Sequence, residues 1–125
     1  MISVMALGLG SNGANVALDA LLAAHRWIKL HVGDPGPNGT ANAATETTRQ
    51  QATWGAAVGG AAANTNLMTW PTIAGSQDAT HFTAWTANAA GSFGVSGLIT
   101  ANPYTAGDNY EVAIGAATVA FPLAS

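Results

Sequence analysis

The stretch Trp27-Ile28-Lys29-Leu30-His31-Val32-Gly33-Asp34-Pro35-Gly36-Pro37-Asn38-Gly39 decides what kind of protein this is. Residues 27–32 alternate. Ile28, Leu30 and Val32 fall on one side of an extended chain and Trp27, Lys29 and His31 on the other, because successive strand side chains point to opposite faces. The glycines, prolines, aspartate and asparagine that follow set turn dihedrals and end the strand. Upstream the period is helical: Val16, Ala20 and Leu21, with Leu18 and Leu22, recur at spacings of three and four. That predicts one short helix over residues 13–24, with Ser11, Asn12 or Asn15 as its cap. Downstream, residues 40–51 are polar and aperiodic and extend the turn into a long exposed loop.

Beyond the loop, segments of strand composition at 52–57, 67–73, 79–87, 92–100, 109–115 and 118–123 are separated by turn residues, and no second helix is patterned. Alternation is clearest near the end, where Tyr110, Val112 and Ile114 oppose Glu111 and Ala113, and Val119, Phe121 and Leu123 oppose Thr118 and Ala120. Short strands at this spacing predict a mainly β fold, a small antiparallel β-sandwich of jelly-roll-like kind with one short N-terminal helix. Gly59-Gly60-Ala61-Ala62-Ala63 is low in complexity but too short to link domains. Residues 13–125 therefore read as a single domain, preceded by an extended N-terminal arm over residues 1–12.

Composition then limits function. The chain has 125 residues, three of them Lys or Arg and six Asp or Glu. The charged fraction is 7%, where a soluble domain averages about 25%. A lone soluble monomer covers itself in mixed charge to stay apart from its neighbours, so this chain is expected to share its surface with other subunits. Arg26, Lys29 and Arg49 are its only cations, which leaves no electrostatic footprint for a phosphate backbone, and nucleic acid is not an expected partner. The absence of cysteine removes disulfides, thiolate nucleophiles and zinc-thiolate sites. Apolar runs are too short and too broken for a membrane-spanning helix, and residues 1–10 lack the basic start of a secretory signal. Synthesis in a cytoplasm is expected.

Motifs that carry chemistry are weak. Gly8-Leu9-Gly10-Ser11-Asn12-Gly13 spells a dinucleotide fingerprint, with Asp34 at a fitting distance, but no further strand–helix alternation follows to build the parallel sheet the motif needs. Asp34, followed by proline and glycine, reads as the first residue of a turn. His25, His31 and His81 have no metal-ligand spacing, no serine lies in a nucleophile elbow, and the acidic residues are scattered singly. The expectation is a protein without catalytic residues, metal or cofactor. Trp27, Trp54, Trp70 and Trp85 read first as packing and intersubunit aromatics, and second as glycan-contact platforms. Ile2, Val4, Met5, Leu7 and Leu9, apolar but broken by glycine, are the candidate docking arm.

Three stretches carry a resemblance: Trp27-Ile28-Lys29-Leu30-His31-Val32-Gly33-Asp34-Pro35-Gly36, then Thr45-Glu46-Thr47-Thr48-Arg49-Gln50-Gln51-Ala52-Thr53-Trp54-Gly55-Ala56-Ala57, then Thr80-His81-Phe82-Thr83-Ala84-Trp85. In this order they resemble small virion structural proteins of actinobacterial tailed phages, the head-decoration and tail-fibre-like proteins, over about residues 15–115. The resemblance implies a non-enzymatic β-sandwich displayed on the virion and made in the host bacterial cytoplasm. It hands over no active site. With only a short segment after residue 115, the expectation is a decoration-type subunit that docks on the capsid or tail, rather than a complete fibre. Its partners are then copies of itself, as a trimer or higher homo-oligomer, and the major capsid protein or tail proteins. The alternative is a carbohydrate- or host-surface-binding tail-fibre-like module.

Overall fold

The structure is a computed structural model and describes residues 8–100 and 102–123. In chain order the elements are α1 (Ser11–Ala24), β1 (Trp27–His31), β2 (Gln50–Gln51), β3 (Ala61–Ala63), β4 (Met68–Trp70), β5 (Gln77–Asp78), β6 (His81–Trp85), β7 (Phe93–Ile99), β8 (Pro103–Tyr104), β9 (Tyr110–Val112) and β10 (Ala117–Ala120). Six strands form one curled antiparallel sheet in the order β2-β1-β6-β7-β10-β3. It is a half-barrel, and with the ribbons β4-β9 and β5-β8 it makes the small, mainly β, sandwich-like domain that the alternation predicts.

The alternation of β1 determines which face is the inner one. Ile28 pairs with Ala84 and Leu30 with Phe82, all four fully buried. The same core takes in Ile99 and Val119 from the sheet, Leu18 and Leu22 from α1, and Met68, Trp70, Tyr110 and Val112 from the β4-β9 ribbon. Rings replace the aliphatics this composition lacks: Trp70 lies 6.0 Å from Tyr110, and Tyr110 lies 4.8 Å from Tyr104. Each such ring buries far more apolar area than an alanine, so a few of them suffice for a core of this size. Between β6 and β7 the pairing shifts from Ala84↔Val95 to Trp85↔Phe93, leaving Gly94 as the extra residue of a bulge. A glycine belongs there because the ring of His25 presses on its Cα.

Several expectations need correction. The helix starts at Ser11, two residues earlier than expected, and none of the three proposed caps acts: Gly10 holds the N-cap position without a side-chain bond, and Asn15 Oδ1 accepts the N–H of Gly60 instead (2.8 Å). Its buried stripe is Ala14, Leu18 and Leu22; Val16, about half a turn round, is 64% exposed. Residues 52–57 form no strand. Their N–H groups go to three different elements, Ala52 to Arg26 O, Gly55 to Ala63 O and Ala57 to Asp19 Oδ1, so no single ladder can run through them. The low-complexity run supplies a turn, with Gly59 and Gly60 at φ 60° and 78°, and then β3. Ile114 is 68% exposed because the chain turns at Gly115 (φ 83°) just beyond β9.

The long loop is mostly exposed, as its polarity predicts, but it is no excursion from the sheet. It folds back along β1, with Val32 N–H donating to Asn42 O (2.8 Å) and Ala44 N–H to Leu30 O (3.1 Å), before β2 joins the sheet edge beside β1. Pro35, Gly39, Ala44 and Glu46 are buried. This loop therefore covers part of the outer sheet face.

Candidate functional site: the outer face of the sheet

Strand alternation puts Trp27, Lys29 and His31 of β1 and His81, Thr83 and Trp85 of β6 on the outer face, with Trp27 opposite Trp85 and His31 opposite His81. Over this half the loop is pinned through His31, which is fully buried. Its Nδ1 lies 2.8 Å from Ala41 O, and since a carbonyl only accepts, Nδ1 carries the proton. Nε2 then accepts from the Thr83 hydroxyl (3.0 Å), and Thr83 Oγ1 in turn accepts the indole N–H of Trp85 (2.7 Å). Burial is the main cause that holds the His31 pKa below its usual value; Lys29 and His81 push the same way, against the bonds from the Ala41 and Asn42 backbone. The ring is a neutral structural tie. Gly39 completes the cover: it sits so close to Phe93 that a Cβ there would lie 2.7 Å from ring carbons.

Arg49 and Glu46 anchor the second part of the loop. The Arg49 guanidinium lies 4.3 Å over the Trp85 ring, and its Nη1 donates to Ala87 O (2.8 Å) and Ala90 O (2.7 Å), clamping the turn after β6, where Ala90 has φ 53°. Glu46 accepts the N–H of Thr48 on Oε2 and of Ala74 on Oε1, both at 3.0 Å. Burial alone would raise its pKa, but these bonds to the ionised form win and hold it below the ordinary carboxylate value. Both charges are spent on holding backbone rather than facing a ligand.

The other half of the outer face is bare. Ser96 and Leu98 of β7, Thr118 and Ala120 of β10, and Ala61 and Ala63 of β3 point outward. A shallow trough of about 330 Å3 runs over this surface, with His81 and Asp34 at its margin. Leu98 is 58% exposed. The backbones beneath are close: a Cβ at Gly97 would strike the Thr118 carbonyl and lie 2.7 Å from the Phe82 ring. Apart from Asp34, no lining residue of the trough carries a fixed charge. The surface has the chemistry of a contact face, with small neutral side chains and one protruding leucine.

Of the candidate docking residues, Ile2, Val4, Met5 and Leu7 lie outside the described residues, and Leu9 is 41% exposed against Gly13. The four tryptophans do not form one platform. Trp70 is 1% exposed and donates to Thr48 O (2.8 Å), which removes it from any surface contact. Trp85 lies under Arg49; Trp27 is half-buried beside it. Trp54 stacks on Phe82 (5.9 Å, 30°) and borders a different concavity, with Arg26. The dinucleotide motif opens a helix, but every strand pairing in the described residues is antiparallel, so the crossover it requires is missing; Asp34 makes the expected turn, accepting from Gly36 N–H at 2.9 Å. The fold does bring His31 beside His81, yet no group of three metal-ligating side chains forms among the described residues. Sequence reading missed the bare face, whose only signal is the spacing of two in Ser96–Leu98 and Thr118–Ala120, and it missed Arg26 and Arg49 as more than cations.

A family model described as Podophage GP4 fiber I protein gp80 matches residues 14–120, most of the chain. No curated protein matches it.

Proposed function

The chain belongs to the Podophage GP4 fiber I protein gp80 family, and from that premise we propose that it is a non-enzymatic virion subunit that works by packing against copies of itself through the bare half of its outer sheet face. A fiber family favours the tail fibre over the capsid lattice as its place in the particle, so decoration of a capsid is the weaker of the two attachments. An actinobacterial host, which the sequence resemblance implied, belongs to the same proposal. The observation that carries the reading is the trough over Ser96, Leu98, Thr118 and Ala120, a solvent-facing sheet surface without fixed charge except at its Asp34 margin. Burial of neutral surface holds subunits together whatever the salt concentration, whereas ion pairs are screened.

The test is a double variant, Leu98→Asp with Ala120→Glu, at two exposed positions. Light scattering should find the parent as an oligomer and the variant as a folded monomer, and particles assembled with the variant should lack its density in electron micrographs. Normal oligomers and normal incorporation of the variant would sink the assignment.

A further inference from the structure

A second concavity is built differently from the assembly face. It lies where the end of α1 meets the segment after β2, and is bordered by Leu22, Ala23, Arg26, Thr53 and Trp54, with a volume of about 350 Å3. Ligand pockets run from about 300 to 1,000 Å3, so it is sized for a single small ring. Its aromatic wall is held rigid. Trp54 stacks on Phe82 at 5.9 Å, and its indole N–H points at His25 O (3.4 Å), away from any role as a ligand donor.

Its cation is also pre-positioned. Arg26 donates through Nε to Ala52 O (3.2 Å), and Ala52 N–H returns a bond to Arg26 O (2.7 Å). Neither Nη group of Arg26 has a partner among the described residues. This contrasts with Arg49, whose Nη1 is committed to two carbonyls. Beside it, the carbonyls of the last turn of α1, Ala23 among them, have no N–H one turn further on inside the helix to accept from.

We propose that this concavity binds a carboxylated sugar ring, with the apolar face of the ring on Trp54, the carboxylate on the two Nη groups of Arg26, and ring hydroxyls on the carbonyls at the end of α1. An aromatic plane, a guanidinium whose Nη groups are unpartnered among the described residues, and nearby acceptors match the apolar face, the carboxylate and the hydroxyls of such a ring, and the guanidinium favours an acidic sugar over a neutral one. The site is independent of the assembly reading, since it shares no residue with the trough over β7 and β10.

The experiment uses the full chain, with trigalacturonate as the acidic probe and galactotriose as its neutral counterpart, followed by saturation-transfer NMR and tryptophan fluorescence. The acidic probe should bind at least about tenfold more tightly than the neutral one, the ratio one charge-assisted contact supplies. Arg26→Gln should remove that preference. Trp54→Ala risks unfolding because Trp54 packs on Phe82, so the second variant is Ala23→Phe, at an exposed helix position, which fills the concavity and should abolish binding while the oligomer stays intact. Equal binding of both probes, no binding of either, or unchanged binding by Ala23→Phe each overturns the assignment. Loss of the oligomer in Leu98→Asp with Ala120→Glu while sugar binding persists would separate this site from the assembly face.

Discussion

Gly97 shows how one residue sets the spacing of two strands. With no Cβ it lets β7 approach the Thr118 carbonyl and the Phe82 ring, neither of which can move without shifting backbone or core. Gly97→Ala should therefore cost roughly 1–3 kcal/mol, the usual range for overpacking, read as a lower urea midpoint with unchanged slope. His31 works through its charge state. Its folded pKa is held below the unfolded value of 6.5, so the unfolded chain binds the proton more readily. The stability it contributes is full above pH 6.5 and is lost as the pH falls through the folded value. Urea midpoints measured from pH 8 downward should begin to fall near pH 6.5, and His31→Gln should flatten that limb; a parent profile that is flat down to pH 5 would contradict the buried neutral ring. Glu46 adds a second, more acidic limb with the same sign, since its pKa too is lowered.

The elements show what sequence could and could not tell. β1 was legible because Ile28 and Leu30 alternate with polar or amphipathic neighbours, and β6, β7 and β10 carry enough valine, phenylalanine and threonine to be found near their true limits. β3 was not, because Ala61-Ala62-Ala63 has no β-branched or aromatic side chain; β10 recruits it through Ala62 against Val119. The two-residue strands β2, β5 and β8 are too short to show any period. The exposure of the loop was legible in its polarity, but its course back along β1 was not, because such hydrogen bonds leave no period in the sequence. Here the polar atoms bond one another and the backbone, as Asp34 and Arg49 do. The clamp on the turn after β6 gives a prediction of its own. Arg49→Lys keeps the charge but loses the planar fork and most of the stacking on Trp85, so amide exchange over residues 86–92 should speed up almost as much as in Arg49→Ala. Full protection in the lysine variant would show that charge alone holds the turn.

At the scale of the molecule, the scarcity of charge read from composition has found a place. Three of the charged side chains are ties to the backbone: Asp19 to Ala57 N–H, Glu46 to Thr48 and Ala74 N–H, Arg49 to two carbonyls. Little charge remains to keep copies apart on the bare face. Self-association should therefore respond weakly to salt: sedimentation at low and at several-fold higher ionic strength should give the same oligomer distribution, and dissociation by salt would point instead to ion-paired contacts.

The strand order β7-β10-β3 has a temporal meaning as well. β10 lies between a strand made shortly before it and one made more than fifty residues earlier, and it is the last of the described strands. A nascent chain still lacking it has β3 and β7 with no partner between them, and the bare half of the outer face is incomplete. The bare half of the outer face is thus completed in one step, when residues 117–120 pair between two strands already made.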